Sequence, residues 1–231
     1  MSFIPMFRDR TDAGEKLAEV IFSDFCQMNL TTEWVIKPIV YALPRGGLPV
    51  GLPIARRLGC PLSMVVAKKI TLPDNPELAL GAVTANGCIV WSKQKPRNLQ
   101  IQHTLIEKAQ EKALSQLERL SAGKPQISPL GRLVILVDDG IATGMTMIAA
   151  LKFIKLQKPN AVWISVPVAP PELIEFLRDY CDRLIVLETP HPFLSVSRFY
   201  AEFTQVETDS AFACLKQQAE WLSEGKREEL S

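Results

Sequence analysis

This chain is poor in the residues that most often carry metal, redox and disulfide chemistry. Its 231 residues include only two histidines, His103 and His191, far apart, and five cysteines, Cys26, Cys60, Cys88, Cys181 and Cys214, with no Cys-x-x-Cys pair. Zinc sites need such ligands clustered, so none is expected. Odd in number and scattered, the thiols read as reduced and mostly buried in a cytosolic protein, not as a disulfide framework. A net charge of +1 leaves no basic footprint for nucleic acid. No run reaches the roughly 18 to 20 apolar residues of a membrane helix. The opening MSFIPMFRDRTDAGEKLAEVI gathers charge too soon for a secretory signal, so a cytoplasmic location is expected. No Gly-x-Gly-x-x-Gly follows the first strand and no Gly-Lys-Ser/Thr occurs. A dinucleotide dehydrogenase and a P-loop nucleotidase are thereby disfavoured.

What remains is an ordinary globular composition, 47% hydrophobic and 22% charged. Apolar runs at 39–43, 62–67, 133–137, 161–168 and 184–187 predict five core strands. Helical patterns over 12–25, 48–58, 98–120, 170–180 and 210–222, and after Gly144 as far as Gln157, predict the helices around them. Pro49 suits a first helical turn, whereas Pro53 works against the second of these helices. Helices between apolar strands imply right-handed crossovers. The fold class is therefore α/β, a doubly wound, mainly parallel five-stranded sheet. Asn86-Gly87, between 82–84 and 88–91, marks an added hairpin. Gly123, Lys124 and Pro125 close the long helix that follows it. Residues 68–80 are proline-rich and predict a long mobile loop. A single domain is expected over 1–231, with the hairpin and long helix inserted at 81–125 and a C-terminal flap and helix at 189–231.

The most informative stretch is 133–147, LVILVDDGIATGMTM. A continuous apolar run suits a strand buried on both faces of a parallel sheet, and ligands of such sheets bind beyond the strands' carboxyl ends. The run ends in two carboxylates, Asp138 and Asp139, followed by Gly140, Ile141, Ala142, Thr143 and Gly144. Glycines let backbone N–H groups converge on an anion, and the next helix adds the positive end of its dipole. Thr143 and Thr146 offer hydroxyl donors. Ionised carboxylates accept hydrogen bonds only, so a vicinal diol is their natural partner.

This stretch resembles the 5-phosphoribosyl-1-pyrophosphate (PRPP) signature of the type I phosphoribosyltransferases. The segments FRDRTDAGEKLA, YALPRGGLPVG, KKITLPDNPELALGAV and PFLSVSRFYAEFTQV are similar to those of an uncharacterised bacterial group of these proteins, and they extend the resemblance over nearly the whole chain. It implies that Asp138 and Asp139 hold the ribose 2′- and 3′-hydroxyls. Gly140, Ile141, Ala142, Thr143, Gly144 and Thr146 would cradle the 5′-phosphate. Pro44, Arg45, Gly46 and Gly47 would bind pyrophosphate, at a place where the family often has a cis peptide, here Pro44–Arg45. Arg45, Lys68 and Lys69 are the implied catalytic cations. The two lysines would end the second strand and neutralise the leaving pyrophosphate. Mg²⁺ is the implied cofactor, carried by PRPP and water-bridged to Asp138 and Asp139, with no direct protein ligand assigned. The implied partners are PRPP and a small nitrogenous acceptor, with neither membrane nor nucleic acid, and the chain is expected to form a homo-oligomer, a dimer.

The acceptor is marked by departures. Family members acting on 6-oxopurines carry an acid where this chain has Ala142, and DDGIATGMTM looks closer to the adenine-type loop. Lys68 stands where the group usually has arginine, keeping the charge but losing the planar fork. Arg198-Phe199 replaces a common Gly-Trp pair. Phe193, Phe199 and Tyr200 are the candidates for stacking on a base, and His191 reads as a surface loop residue. Ile70 to Ala79 is the candidate loop that closes over substrate, with Glu77 a candidate participant. The expected function is phosphoribosyl transfer from PRPP to a nucleobase-like acceptor. The rival is a non-catalytic PRPP- or nucleotide-sensing regulator on the same fold.

Overall fold

The computed structural model describes residues 5–31, 36–121 and 127–228. Five strands, β1 (Pro38–Ala42), β2 (Leu62–Met64), β6 (Leu133–Val137), β7 (Ala161–Val168) and β8 (Arg183–Glu188), form one parallel sheet in the order β2-β1-β6-β7-β8. The apolar run of β6 lies at its centre, and its period of two explains its composition. Leu133, Ile135 and Val137 face one core, with Leu17, Ile21, Leu48 and Ile54 from α1 (Arg10–Thr31) and α2 (Gly47–Arg57). Val134 and Leu136 face the other, with Met147, Ile148, Leu151 and Ile154 from α4 (Met145–Leu156). A strand covered on both faces has no position left for a polar residue until it reaches the sheet edge. Gly14 lets α1 and α2 approach closely, because a Cβ there would overlap the Val50 carbonyl. Helix α2 carries Pro53 in its interior.

Two expectations need correction. Residues 68–80 are not a loop. They belong to a second, antiparallel sheet of β3 (Ala67–Leu72), β4 (Asn75–Thr84) and β5 (Ile89–Trp91), with Pro73 and Asp74 forming the turn between the first two strands. Ile70, Leu80 and Val83 are buried there against Leu105 and Ala109 of α3 (Leu99–Ser121). Apolar contact thus outweighs the local signal of the prolines, of which Pro73 sits in the turn and Pro76 near the start of β4. It follows that Lys68 and Lys69 do not end the second strand. β2 stops at Met64, and the lysines open β3 in a different sheet. The Asn86-Gly87 hairpin joins β4 to β5 as expected, with Gly87 at φ +83°.

The C-terminal part departs less. Over 170–180 a short 3₁₀ turn, Pro171–Leu173, leads into α5 (Ile174–Arg178). The flap contains a 3₁₀ turn at Val196–Phe199 and ends in α6 (Thr208–Glu228), longer than expected at both ends. Phe7, Ala13, Val168, Phe199 and Tyr200 make a separate small core that ties the flap to the N-terminus. All five cysteines are unpaired, but only Cys60 is fully buried and Cys26 is exposed, so "mostly buried" does not hold. Gly123, Lys124, Pro125 and the Glu77 side chain lie outside the described residues.

Candidate active site

The carboxyl ends of β1 and β6 meet at one edge of the sheet, and three short segments converge there. The first is the loop after β6. The Ile141 N–H donates to the Val168 carbonyl at 2.9 Å, which pins the buried Ile141 to the end of β7 and leaves Ala142 and Thr143 exposed. Gly144, at φ +76°, sits at the start of α4 in a left-handed conformation that costs glycine little. A Cβ at Gly140 would meet Val196 of the flap at 2.6 Å. The loop encloses a cleft of about 160 Å³ lined by Asp138, Gly140 to Gly144, Thr146 and Lys69. The first turn of a helix offers N–H groups without intrahelical partners, so the cleft combines backbone donors, hydroxyls and an ammonium.

The second is the acidic pair. The Asp139 N–H donates to Asp138 Oδ1 at 2.9 Å, and Arg10 Nε donates to Asp139 Oδ2 at 2.7 Å with both side chains mostly buried. Arg10 also donates through Nη1 to the Thr204 carbonyl at 2.8 Å and lies 3.7 Å over the Phe203 ring. Tyr200 donates its hydroxyl to the Asp139 carbonyl at 2.6 Å. Burial pushes the Asp138 carboxyl well above the usual carboxylate range, and the Asp139 charge beside it adds to the shift. Burial raises Asp139 as well, with the Arg10 charge acting against it. At Asp138, desolvation and like charge disfavour ionisation together.

The third is the turn after β1. Its Pro44–Arg45 peptide is cis. A Cβ at Gly46 would overlap the Asp139 carboxylate, and one at Gly47 would stand 2.8 Å from the Val137 carbonyl. The glycine pair is therefore required by the acids packed against it. Arg45 turns away from those acids. Its Nη1 lies 3.4 Å from Thr208 Oγ1 and 4.0 Å from Glu207 Oε2, with its side chain 28% exposed.

The lysines separate. Successive residues of a strand point to opposite faces, so Lys69 lines the small loop cleft, whereas Lys68 lines a larger one beside Arg45. Both lysines acting on one pyrophosphate is corrected by this alternation. Burial, then Arg45, then Lys112 lower the Lys68 ammonium below its ordinary range. The expected aromatic stack also changes. Phe199 and Tyr200 are 1% and 4% exposed, inside the small core, and cannot present a ring face to a ligand. Phe193 is half-buried against Phe199 at 5.1 Å. His191 is exposed. Sequence reasoning missed Arg10. Its segment carries the group resemblance, but 129 residues separate it from Asp139, and no local pattern encodes that pairing.

A central parallel sheet, an acid pair at its carboxyl edge and a glycine-rich loop into α4 mark a phosphoribosyltransferase-type domain. The phosphoribosyl transferase domain model matches residues 12–197, and the chain belongs to this family. A Mycobacterium tuberculosis protein named "Putative phosphoribosyl transferase Rv0571c" is 34% identical over 214 residues, which cover 91% of this chain and 46% of that protein. The same figures hold for "Putative phosphoribosyl transferase MT0597" from a second strain. The chain thus spans about half the length of these curated relatives. The crystal structure of TT1426 from Thermus thermophilus is similar at 36% identity and a TM-score of 0.74, covering 92% of this chain and 98% of that one. Among the described residues, no helix is long and apolar enough to cross a membrane.

Proposed function

We propose that this chain transfers a 5-phosphoribosyl group from PRPP to a nitrogen nucleophile and releases pyrophosphate. One observation carries the reading. Asp138, the Gly140–Thr146 loop and Lys69 line a single cleft of about 160 Å³, which brings a carboxyl acceptor together with backbone, hydroxyl and ammonium donors. A ribose 5-phosphate has the matching polarity. Its vicinal diol donates to Asp138 and Asp139, and its phosphate accepts from the loop N–H groups, from Thr143 and Thr146, and from Lys69. Lys69 therefore serves the 5′-phosphate, while Arg45, Lys68 and the turn Pro44–Gly47 serve the pyrophosphate.

The nucleophile forms a bond to C1 of the ribose as the C1–O bond breaks, the electron pair leaves with pyrophosphate, and the nucleophile's N–H proton passes to the departing pyrophosphate or to water. Holding the sugar at both ends removes much of the entropic barrier. Arg45 and Lys68 stabilise the charge that grows on the leaving group. Among the described residues, no cluster of three or more acidic, histidine or cysteine side chains could form a dedicated metal cage. Mg²⁺ keeps several of its waters and binds substrate phosphates, so Asp138 and Asp139 would hold it through those waters while PRPP carries it. Bound in that way, it would supply further neutralisation of pyrophosphate. With Ala142 in the loop, no carboxylate stands there to take a proton from a 6-oxopurine, which supports another acceptor class.

The test is incubation with PRPP, Mg²⁺ and a panel of nucleobases and amines, reading pyrophosphate release. Release that depends on one acceptor is expected. PRPP binding by calorimetry should be abolished in the Asp138→Asn/Asp139→Asn variant. Equal binding by that variant refutes the site. Binding without turnover across a broad panel refutes the transferase reading and favours a sensor.

A further inference from the structure

On the far side of Arg45 lies a second cleft, of about 520 Å³, within the roughly 300–1,000 Å³ common for small-molecule sites. Its walls come from separate parts of the fold. The turn after β1 gives Arg45, β3 gives Lys68, and α3 gives Glu111, Lys112, Gln116 and Arg119. Residues 112, 116 and 119 recur at helical spacing, so α3 presents them on one face. Four of these six side chains are cationic and only Glu111 opposes them. Glu207 reaches Arg45 only at 4.0 Å, from an exposed position. Gathering four cations costs repulsion: burial first, and then the Arg45 and Lys112 charges, lower the Lys68 ammonium. Beside them, Gln116 Oε1 is buried and has no hydrogen-bond donor among the described residues. A buried acceptor is normally satisfied. The cleft therefore suits a ligand that brings anionic oxygens for the cations and a donor for Gln116. Inorganic polyphosphate supplies only the first, whereas a nucleoside phosphate supplies both.

We propose that the cleft between α3 and the Arg45 turn binds a nucleoside phosphate, with phosphoryl oxygens on Arg45, Lys68, Lys112 and Arg119 and a hydroxyl or base N–H donated to Gln116 Oε1. The site goes beyond the transferase reading and stands without it, because the α3 wall takes no part in holding PRPP. It shares Arg45 and Lys68 with the pyrophosphate end of that reading, so a nucleotide here competes with PRPP but not with ribose 5-phosphate.

The experiment is calorimetry on the full chain with ADP, GDP and inorganic tripolyphosphate as probes. At least one nucleotide should bind. Lys112→Ala/Arg119→Ala, at two exposed positions of α3, should weaken nucleotide and tripolyphosphate by about tenfold or more, the scale of lost charge-assisted hydrogen bonds. Gln116→Leu should weaken the nucleotide and leave tripolyphosphate unchanged. Saturating ribose 5-phosphate should not displace the nucleotide, and Asp138→Asn/Asp139→Asn should bind it normally. The proposal is overturned if neither nucleotide binds at millimolar concentration, if only tripolyphosphate binds, if Lys112→Ala/Arg119→Ala binds nucleotide as the parent does, or if ribose 5-phosphate displaces it. Failure of the transferase reading appears separately, as PRPP binding that ignores the acid pair.

Discussion

Lys68 and Lys69 are adjacent in the chain and serve different clefts, and the contrast extends to the segments on either side. The stretch 133–147 supplies strand, acids, loop and helix start in one uninterrupted run, so nearly every element of its cleft is within a few residues of the next. The hairpin 67–84 takes its shape from α3, through Leu105 and Ala109, residues that lie beyond β5. One site wall is thus locally determined and the other depends on tertiary burial. Where a segment's shape is set by distant partners, Pro and polar content misleads, because the burial of a few apolar side chains outweighs the local turn preference.

The sharpest way to break this contrast is to remove the distant contact. Ile70 is fully buried between the hairpin and α3. Ile70→Ala should destabilise the chain by about 2–5 kcal/mol, the usual range for deleting a core aliphatic group. Leu78→Ala, at an exposed position of the same hairpin, should stay within about 0.5 kcal/mol. Denaturant melts of the two variants decide the matter. A free loop would lose nothing in either case, and equal midpoints would return residues 68–80 to the status of a mobile segment.

The lysines sharpen the contrast at the level of function. Lys69→Ala should weaken ribose 5-phosphate binding by about tenfold, the scale of one charge-assisted hydrogen bond, and leave pyrophosphate binding nearly intact. Lys68→Ala should do the reverse. Calorimetry with the two half-ligands separates these outcomes. If both variants lose pyrophosphate alone, the alternation of β3 does not govern the site, and the pair acts on one leaving group after all.

These differences also explain what could be read from the chain in advance. The five parallel strands, the Asn86-Gly87 hairpin and the long helix all rest on periodicity or turn chemistry within a window of residues, and each is present. The Asp138–Thr146 segment carries its own geometry, because the acids follow the strand and the glycines follow the acids. Arg10 over Phe203 and against Asp139 had no such local signature. Phe199 and Tyr200 looked available because aromatics near a site suggest stacking. They are instead the anchors that join the flap to Phe7 and Val168, and nothing in their immediate neighbours distinguishes the two roles. The α3 face at 112, 116 and 119 carries no local mark of a site, and only its position across from Arg45 gives it that meaning.

The smallest expected effect bears on what the locally determined wall costs the protein. Asp138 has its carboxyl raised in the folded state by burial and by Asp139. A carboxyl whose folded pKa exceeds its unfolded value holds its proton more tightly when folded. Stability is then lost as pH rises from about 4, the unfolded carboxylate value, through the raised folded value. Asn at this position keeps an oxygen for the Asp139 N–H and carries no charge. Asp138→Asn should therefore raise the melting temperature at neutral pH by about 2–4 °C, equivalent to about 1 kcal/mol for a chain of this size, while weakening PRPP binding. The gain should vanish as pH falls below about 4, where both forms are neutral in either state. Thermal melts across pH 3 to 8 would show the two curves converging at the acid end. Curves that stay parallel, or a variant less stable at pH 7, would mean that the acid pair is not held against its own solvation and that its strain has no part in gripping a diol. A stabilised variant that cannot bind PRPP would show the opposite. The edge of β6 would then be kept electrostatically unfavourable in the free protein, and the ligand's own hydroxyls would relieve it.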